Sequence, residues 1–179
     1  MNTYIVLIRG INVGGRTLPM KDLVILLEDL GCHNVRTYIQ SGNAVLQSNE
    51  KASDLTVSIV KAIKQHRGFS PSVLLLTRAE LESAIAGNPF PEAEADPKAL
   101  HYGFLSAVPS SLDLKRLDSL RMKSERCKLV NKVFYLHAPE GIGRSKLAAN
   151  SERLLGVSMT DRNWRTVEKI RDMAKEISQ

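Results

Sequence analysis

The stretch Val35-Arg36-Thr37-Tyr38-Ile39-Gln40-Ser41-Gly42-Asn43-Ala44-Val45-Leu46-Gln47 decides the fold, because it must fold back on itself. Residues 35–39 and 44–47 are short runs of β-forming residues, and Gln40-Ser41-Gly42-Asn43 between them has turn chemistry, so the two runs form an antiparallel hairpin. Upstream, the apolar run of residues 4–8 stops at Arg9-Gly10 and reads as a buried strand. Pro19 then opens a helix in which Leu23, Leu26, Leu27 and Leu30 recur at helical spacing before Gly31. Downstream, Leu55, Ile59, Ala62, Ile63 and His66 share one face of a helix over residues 53–67, ended by Gly68, and residues 73–76 are the next strand. The order over residues 3–77 is β-α-β-β-α-β, the ferredoxin-like order of an antiparallel sheet with two helices on one face.

Thr77 and Glu80 form a capping box for a short helix, and Asn88-Pro89-Phe90-Pro91 with Asp96-Pro97 marks a connector. The same order then begins again. A strand is expected at 100–106, a helix at 110–120, and strands at 126–130 and 133–137 joined by Asn131-Lys132. One helix follows through Leu147, Ser151, Leu154 and Leu155 to Gly156, and a last one holds Trp164, Val167, Ile170, Ala174 and Ile177. The second half therefore reads β-α-β-β-α-α, a helix standing where the fourth strand is expected. The fold class is α+β, with two ferredoxin-like subdomains and antiparallel sheets, the second incomplete. The expected division is a subdomain at 1–87, a connector at 88–98 and the incomplete subdomain at 99–179.

Composition sets the class. The chain has 179 residues, 43% of them apolar, with 25 Lys+Arg against 19 Asp+Glu and a formal charge of +6. Disorder and fibrous repeats are excluded, and no apolar run approaches the ~20 residues that span a bilayer. The first residues lack the basic region of a secretory signal, and Cys32 and Cys127 form no C-x-x-C pair, so a cytoplasmic, reducing location and buried, inert thiols are expected. The four histidines show no metal-ligand spacing, and no metal or cofactor is expected.

Three glycine- or hydroxyl-rich motifs carry the candidate site. Gly10-Ile11-Asn12-Val13-Gly14-Gly15-Arg16-Thr17 has the glycine spacing of a phosphate-binding loop between strand and helix, but Arg16 stands where a P-loop needs lysine. The hairpin that follows also excludes the parallel crossover of a nucleotide hydrolase. What remains is a generic anion site, with backbone N–H groups and the charges of Arg9 and Arg16, set against a plain strand-to-helix turn. Gly141-Ile142-Gly143-Arg144-Ser145-Lys146 has the same physics, with Ser145 alternatively a helix N-cap. In Thr160-Asp161-Arg162-Asn163-Trp164-Arg165-Thr166, the arginines and Asn163 either bond a ligand or serve as caps and core at the helix start, while Trp164 fits a core anchor better than a stacking platform. In the hairpin turn, Ser41 and Asn43 serve either a ligand or the turn itself. The candidate ligand-binding residues are thus Arg9, Asn12, Gly14, Gly15, Arg16, Ser41, Asn43, Gly143, Arg144, Ser145, Lys146, Arg162, Asn163 and Trp164. Residues 9–17, 141–146 and 162–164 are expected to gather near the junction of the two halves, since each feeds a helix. Residues 115–132 hold seven basic and two acidic residues, a +5 stretch that fits phosphates or a solvated face.

The motifs Leu7-Ile8-Arg9-Gly10-Ile11-Asn12-Val13-Gly14-Gly15, Thr37-Tyr38-Ile39-Gln40-Ser41-Gly42-Asn43, Gly141-Ile142-Gly143-Arg144-Ser145-Lys146 and Arg162-Asn163-Trp164, with Met20, resemble the bacterial domain-of-unknown-function 1697 family nearly end to end. Asp161 and Arg165 depart from that pattern, which commonly has a small residue and a shorter polar one there. The resemblance implies two ferredoxin-like subdomains and brings no assigned activity and no catalytic residues. The function expected from the residues is binding of an anionic ligand, a phosphorylated small molecule or nucleic-acid backbone. The alternatives are an enzyme acting on a phosphorylated or acylated small molecule, with Ser41 or Ser145 in the chemistry, and a protein-interaction module. No histidine or carboxylate lies inside a glycine motif, which weighs against the enzyme.

Overall fold

Alternation and helical periodicity translate directly into the elements of the computed structural model, which describes residues 1–110 and 113–178. The chain divides into two compact units, residues 1–83 with 169–179 and residues 84–168.

In the first unit the elements are β1 (Asn2–Arg9), α1 (Met20–Asp29), β2 (His33–Tyr38), β3 (Asn43–Ser48), α2 (Ala52–Arg67), β4 (Ser72–Thr77) and the start of α3 (Arg78–Ala86). The sheet runs β2-β3-β1-β4, every pair antiparallel. This is the ferredoxin-like arrangement. Tyr4, Val6 and Ile8 of β1 pack with Leu23 and Leu27 of α1 and Leu55, Ile59 and Ile63 of α2 in one core. Ile5 and Leu7 point the other way and are buried as well, which is why β1 reads as a continuous apolar run rather than an alternating one. α2 ends where Gly68 turns left-handed, and the capping box forms as expected: Thr77 N–H donates to Glu80 Oε2 (2.8 Å) and Glu80 N–H to Thr77 Oγ1 (3.1 Å). The last turns of the C-terminal helix belong to this unit, held by Arg36–Glu176 at 2.5 Å and by the hydroxyls of Thr3 and Ser178 at 2.9 Å.

In the second unit, a 3-10 turn at Pro91–Ala95 leads to β5 (Leu100–Leu105), α4 (Leu114–Leu120), β6 (Arg126–Val130), β7 (Val133–His137), α5 (Lys146–Leu155), β8 (Met159–Asn163) and α6 (Trp164–Ile177), the last running on into the first unit. The sheet order β6-β7-β5-β8 repeats that of the first unit, again antiparallel throughout. Leu105, Phe134 and Leu136 pack on one face with Leu117 of α4 and Leu147 and Leu155 of α5.

Five local expectations are corrected. The second subdomain is complete: β8 supplies the fourth strand that a helix was expected to replace. Met159-Thr160-Asp161-Arg162-Asn163 hides its strand character because it is polar and pairs with β5 alone, as an edge strand does. Ile39 leaves the hairpin strand for the turn, with φ of 49°. His66 lies on the solvent side of α2, because the buried stripe ends at Ile63. The helix expected from residue 110 is α4 from Leu114, and residues 111 and 112 lie outside the described residues. Of the two thiols, Cys32 is buried and Cys127 only partly so.

Candidate anion site at the glycine loop

The first glycine loop is built by Asn12. Its backbone is left-handed, with φ of 57°, a conformation asparagine tolerates better than most side chains. Its side-chain amide donates to Leu18 O (3.0 Å) and to Gln40 O (2.7 Å), while Oδ1 accepts from Leu18 N–H (2.8 Å). Asn12 N–H donates to Arg16 O (2.7 Å), closing the loop. One side chain therefore fixes both ends of the loop and ties it to the hairpin turn. A second tie is Ile8 N–H to Gly42 O at 2.7 Å. Gly42 is required there, since with φ of 79° a Cβ would stand 2.7 Å from Ile8 O.

Sequence-distant motifs thus come together in this unit. Between them lies an open concavity of about 370 Å³ lined by Asn12, Val13, Gly14, Gly15, Thr17 and Gln40. The N–H groups of Val13, Gly14 and Gly15 have no partner among the described residues, and these three exposed residues line the hollow. The Arg16 guanidinium folds back toward Gly10, its Nη1 3.6 Å from where a Cβ on that glycine would sit. Arg9 is half-buried at the end of β1. Asn43 is fully buried and donates to Ser41 Oγ (2.8 Å) and Tyr38 O (3.2 Å), so Ser41 and Asn43 shape the turn.

The other motifs belong to the second unit. Ser145 is buried, and its hydroxyl accepts from Ala148 N–H at 2.9 Å as the N-cap of α5. Gly143, Arg144 and Lys146 are exposed around it. Beneath this turn is a cavity of only about 40 Å³, lined by Ile142, Ser151, Asp161 and apolar neighbours. A carboxylate in so small a space opposes an anion. Arg162 pairs across the sheet with Tyr102, on the face opposite the one where α5 packs, so it and the 143–146 turn do not share a surface. Burial pushes the Arg162 guanidinium below its ordinary range, with Asp161 opposing, and Nη1 donates to Asp161 O at 2.8 Å. Asn163 Oδ1 accepts from Thr166 N–H (3.1 Å), an N-terminal cap, and Trp164 is buried and stacked on Tyr102 with ring centroids 5.7 Å apart.

Sequence reasoning missed the buried His101. Its Nδ1 lies 2.7 Å from Asp161 Oδ2 and its Nε2 2.9 Å from Lys98 O. Sixty residues separate the partners, and only the β5–β8 pairing brings them together. It also missed Arg126, whose guanidinium sits 4.7 Å over the Phe90 ring and bonds Glu92 (2.5 Å) and His137 Nδ1 (3.1 Å). The cleft between α1 and α2, about 200 Å³, holds the Arg67–Asp22 ion pair, which engages its arginine, and Asp29, whose carboxylate opposes an anion. Among the described residues, no three His, Cys, Asp or Glu side chains converge as a metal site requires, and no helix is long and apolar enough to cross a membrane.

A family model described as "Protein of unknown function (DUF1697)" matches residues 1–135. Among solved structures, the chain is similar to the conserved bacterial protein SP0830 from Streptococcus pneumoniae, with a TM-score of 0.70 and 24% identity over 97% of this chain and 98% of that one. That likeness concerns the fold. No curated protein matches the chain.

Proposed function

The chain belongs to the DUF1697 family, which is described as of unknown function, and from that premise we propose that it binds a phosphorylated small molecule at the glycine loop of the first unit. The observation that carries this reading is the run Val13-Gly14-Gly15, three successive exposed residues whose N–H groups have no partner among the described residues, in a loop that continues into the exposed Arg16. Such groups lose little by facing water, yet held in one loop they are preorganised donors for a phosphate. Asn12 supplies the rigidity, and the Thr17 and Gln40 side chains at the rim add polar partners for the rest of the ligand. Here Arg9 and Arg16 act by charge, and Ser41 and Asn43 by holding the turn. The 141–146 turn is the weaker candidate, because Ser145 is engaged as a cap and Asp161 lies beneath.

The test is thermal unfolding with phosphate or pyrophosphate against chloride at matched ionic strength. A ligand that binds only the folded state raises the melting temperature. The expected result is a phosphate-specific rise that Arg16→Ala abolishes and Arg144→Ala leaves intact. No rise in the parent protein, or a rise that survives Arg16→Ala, rejects the reading.

A further inference from the structure

The second unit carries a different surface, at the free edge of its sheet. β6 pairs only with β7, so half of its backbone N–H and C=O groups face outward. Beside this edge is a concavity of about 270 Å³ lined by Leu114, Leu117, Leu129, Phe134, Cys127, Asp118 and Lys128. Leu114 is 66% exposed at its rim. Around it, Lys115 and Arg116 on α4, Lys123 before β6, Lys128 on it and Lys132 in the turn after it are exposed and make no ion pair among the described residues. The neighbouring cations Arg121 and Arg126 are already paired, with Asp118 and Glu92, and the Asp118 carboxylate at the pocket is thereby neutralised.

From these three features we infer that the β6 edge is a docking site for an extended acidic peptide segment of a partner protein. The peptide adds as a fifth strand on β6, one aliphatic side chain enters the pocket beside Leu114 and Leu129, and the carboxylates that alternate with it face the other side of the sheet, where they meet Lys128, with Lys132 at the end of the strand. A lysine that merely guards a sheet edge accounts for Lys128 alone. It does not account for an exposed leucine at the mouth of an apolar hollow, nor for uncompensated charge on α4 and on both sides of the strand. Charge complementarity selects an acidic partner. Nucleic acid is disfavoured because Phe134 and Tyr135, the aromatic residues of β7 beside β6, are buried and offer no stacking platform.

The experiment uses the whole chain and a fluorescent peptide alternating glutamate with leucine, read by anisotropy, with amide hydrogen exchange on the same mixture. Binding is expected, together with slower exchange at β6, which contact by charge alone does not produce. Lys128→Glu with Lys132→Glu should weaken it by on the order of tenfold, and Leu114→Ser, a change at an exposed position, should weaken it without altering the fold. A peptide with lysine in place of glutamate should not bind. Binding of both peptides alike, binding without protection of β6, indifference to the double change, or preference for a single-stranded oligonucleotide each overturns the inference.

Discussion

Replacing Asn12 by glycine removes one side chain and three hydrogen bonds while leaving the left-handed backbone unstrained. The bonds to Leu18 O, Gln40 O and from Leu18 N–H run 2.7 to 3.0 Å, and Leu18 is fully buried, so water replaces them poorly. At about 0.5–1.5 kcal/mol net for each, the loss is roughly 1.5–4.5 kcal/mol. Asn12→Ala adds strain of about 1 kcal/mol, because an alanine at φ of 57° has no local side-chain bond to offset the clash. The assay is native-state hydrogen exchange at the amides of β1 and β3, the strands that carry the two loops. Every 1.4 kcal/mol is tenfold, so exchange limited by opening of these strands should accelerate by roughly ten- to a thousandfold in Asn12→Gly, and further in Asn12→Ala. An Asn12→Gly variant whose exchange matches the parent within a factor of about two would refute the clamp, and with it the preorganisation on which the phosphate reading depends.

Three other outcomes are expected. Ser145→Ala should destabilise the second unit by ~1 kcal/mol and Arg144→Ala should not, as read by Trp164 fluorescence in urea. His137 is held below its ordinary value first by burial and then by the Arg126 charge, with Glu92 and Asp96 opposing. A depressed folded value means that its contribution is present above about pH 6.5 and is lost as pH falls through the folded value. Trp164 fluorescence should therefore show weakening from about pH 6.5 downward that His137→Gln flattens, before protonation of Glu82 and Glu92, which hydrogen bonds hold below the ordinary carboxylate range, takes over. Burial, reinforced by Glu50, pushes the Cys32 thiol up to about 11, so alkylation at pH 8 followed by mass spectrometry should leave Cys32 unmodified in the folded protein.

The local elements were legible in the residues because their causes are local. Leu23, Leu26 and Leu27 have no choice of face once a helix starts after Pro19, and Thr77 and Glu80 close their capping box three residues apart. The hairpin at residues 35–47 followed from turn chemistry, and with it the ferredoxin-like order. β8 was not legible, because its pattern is completed by residues far away: Met159 fills the space left by the missing side chain of Gly103, where a Cβ would stand 2.5 Å from its sulfur, and Asp161 meets His101 across the sheet. Motif residues divided in the same way. The sequence alone marked Asn12, Ser145, Asn163 and Trp164 as unusual, since polar or aromatic residues at loop-to-helix junctions stand out whatever they do. Only the tertiary structure decided that Asn12 reaches 28 residues on to Gln40, that Ser145 and Asn163 cap helices, and that Trp164 stacks on Tyr102. A side chain's type limits the bonds it can make: the caps of Ser145 and Asn163 close on residues three positions on, whereas the partners of Asn12 and Trp164 are distant in sequence and meet them only once the sheets have paired.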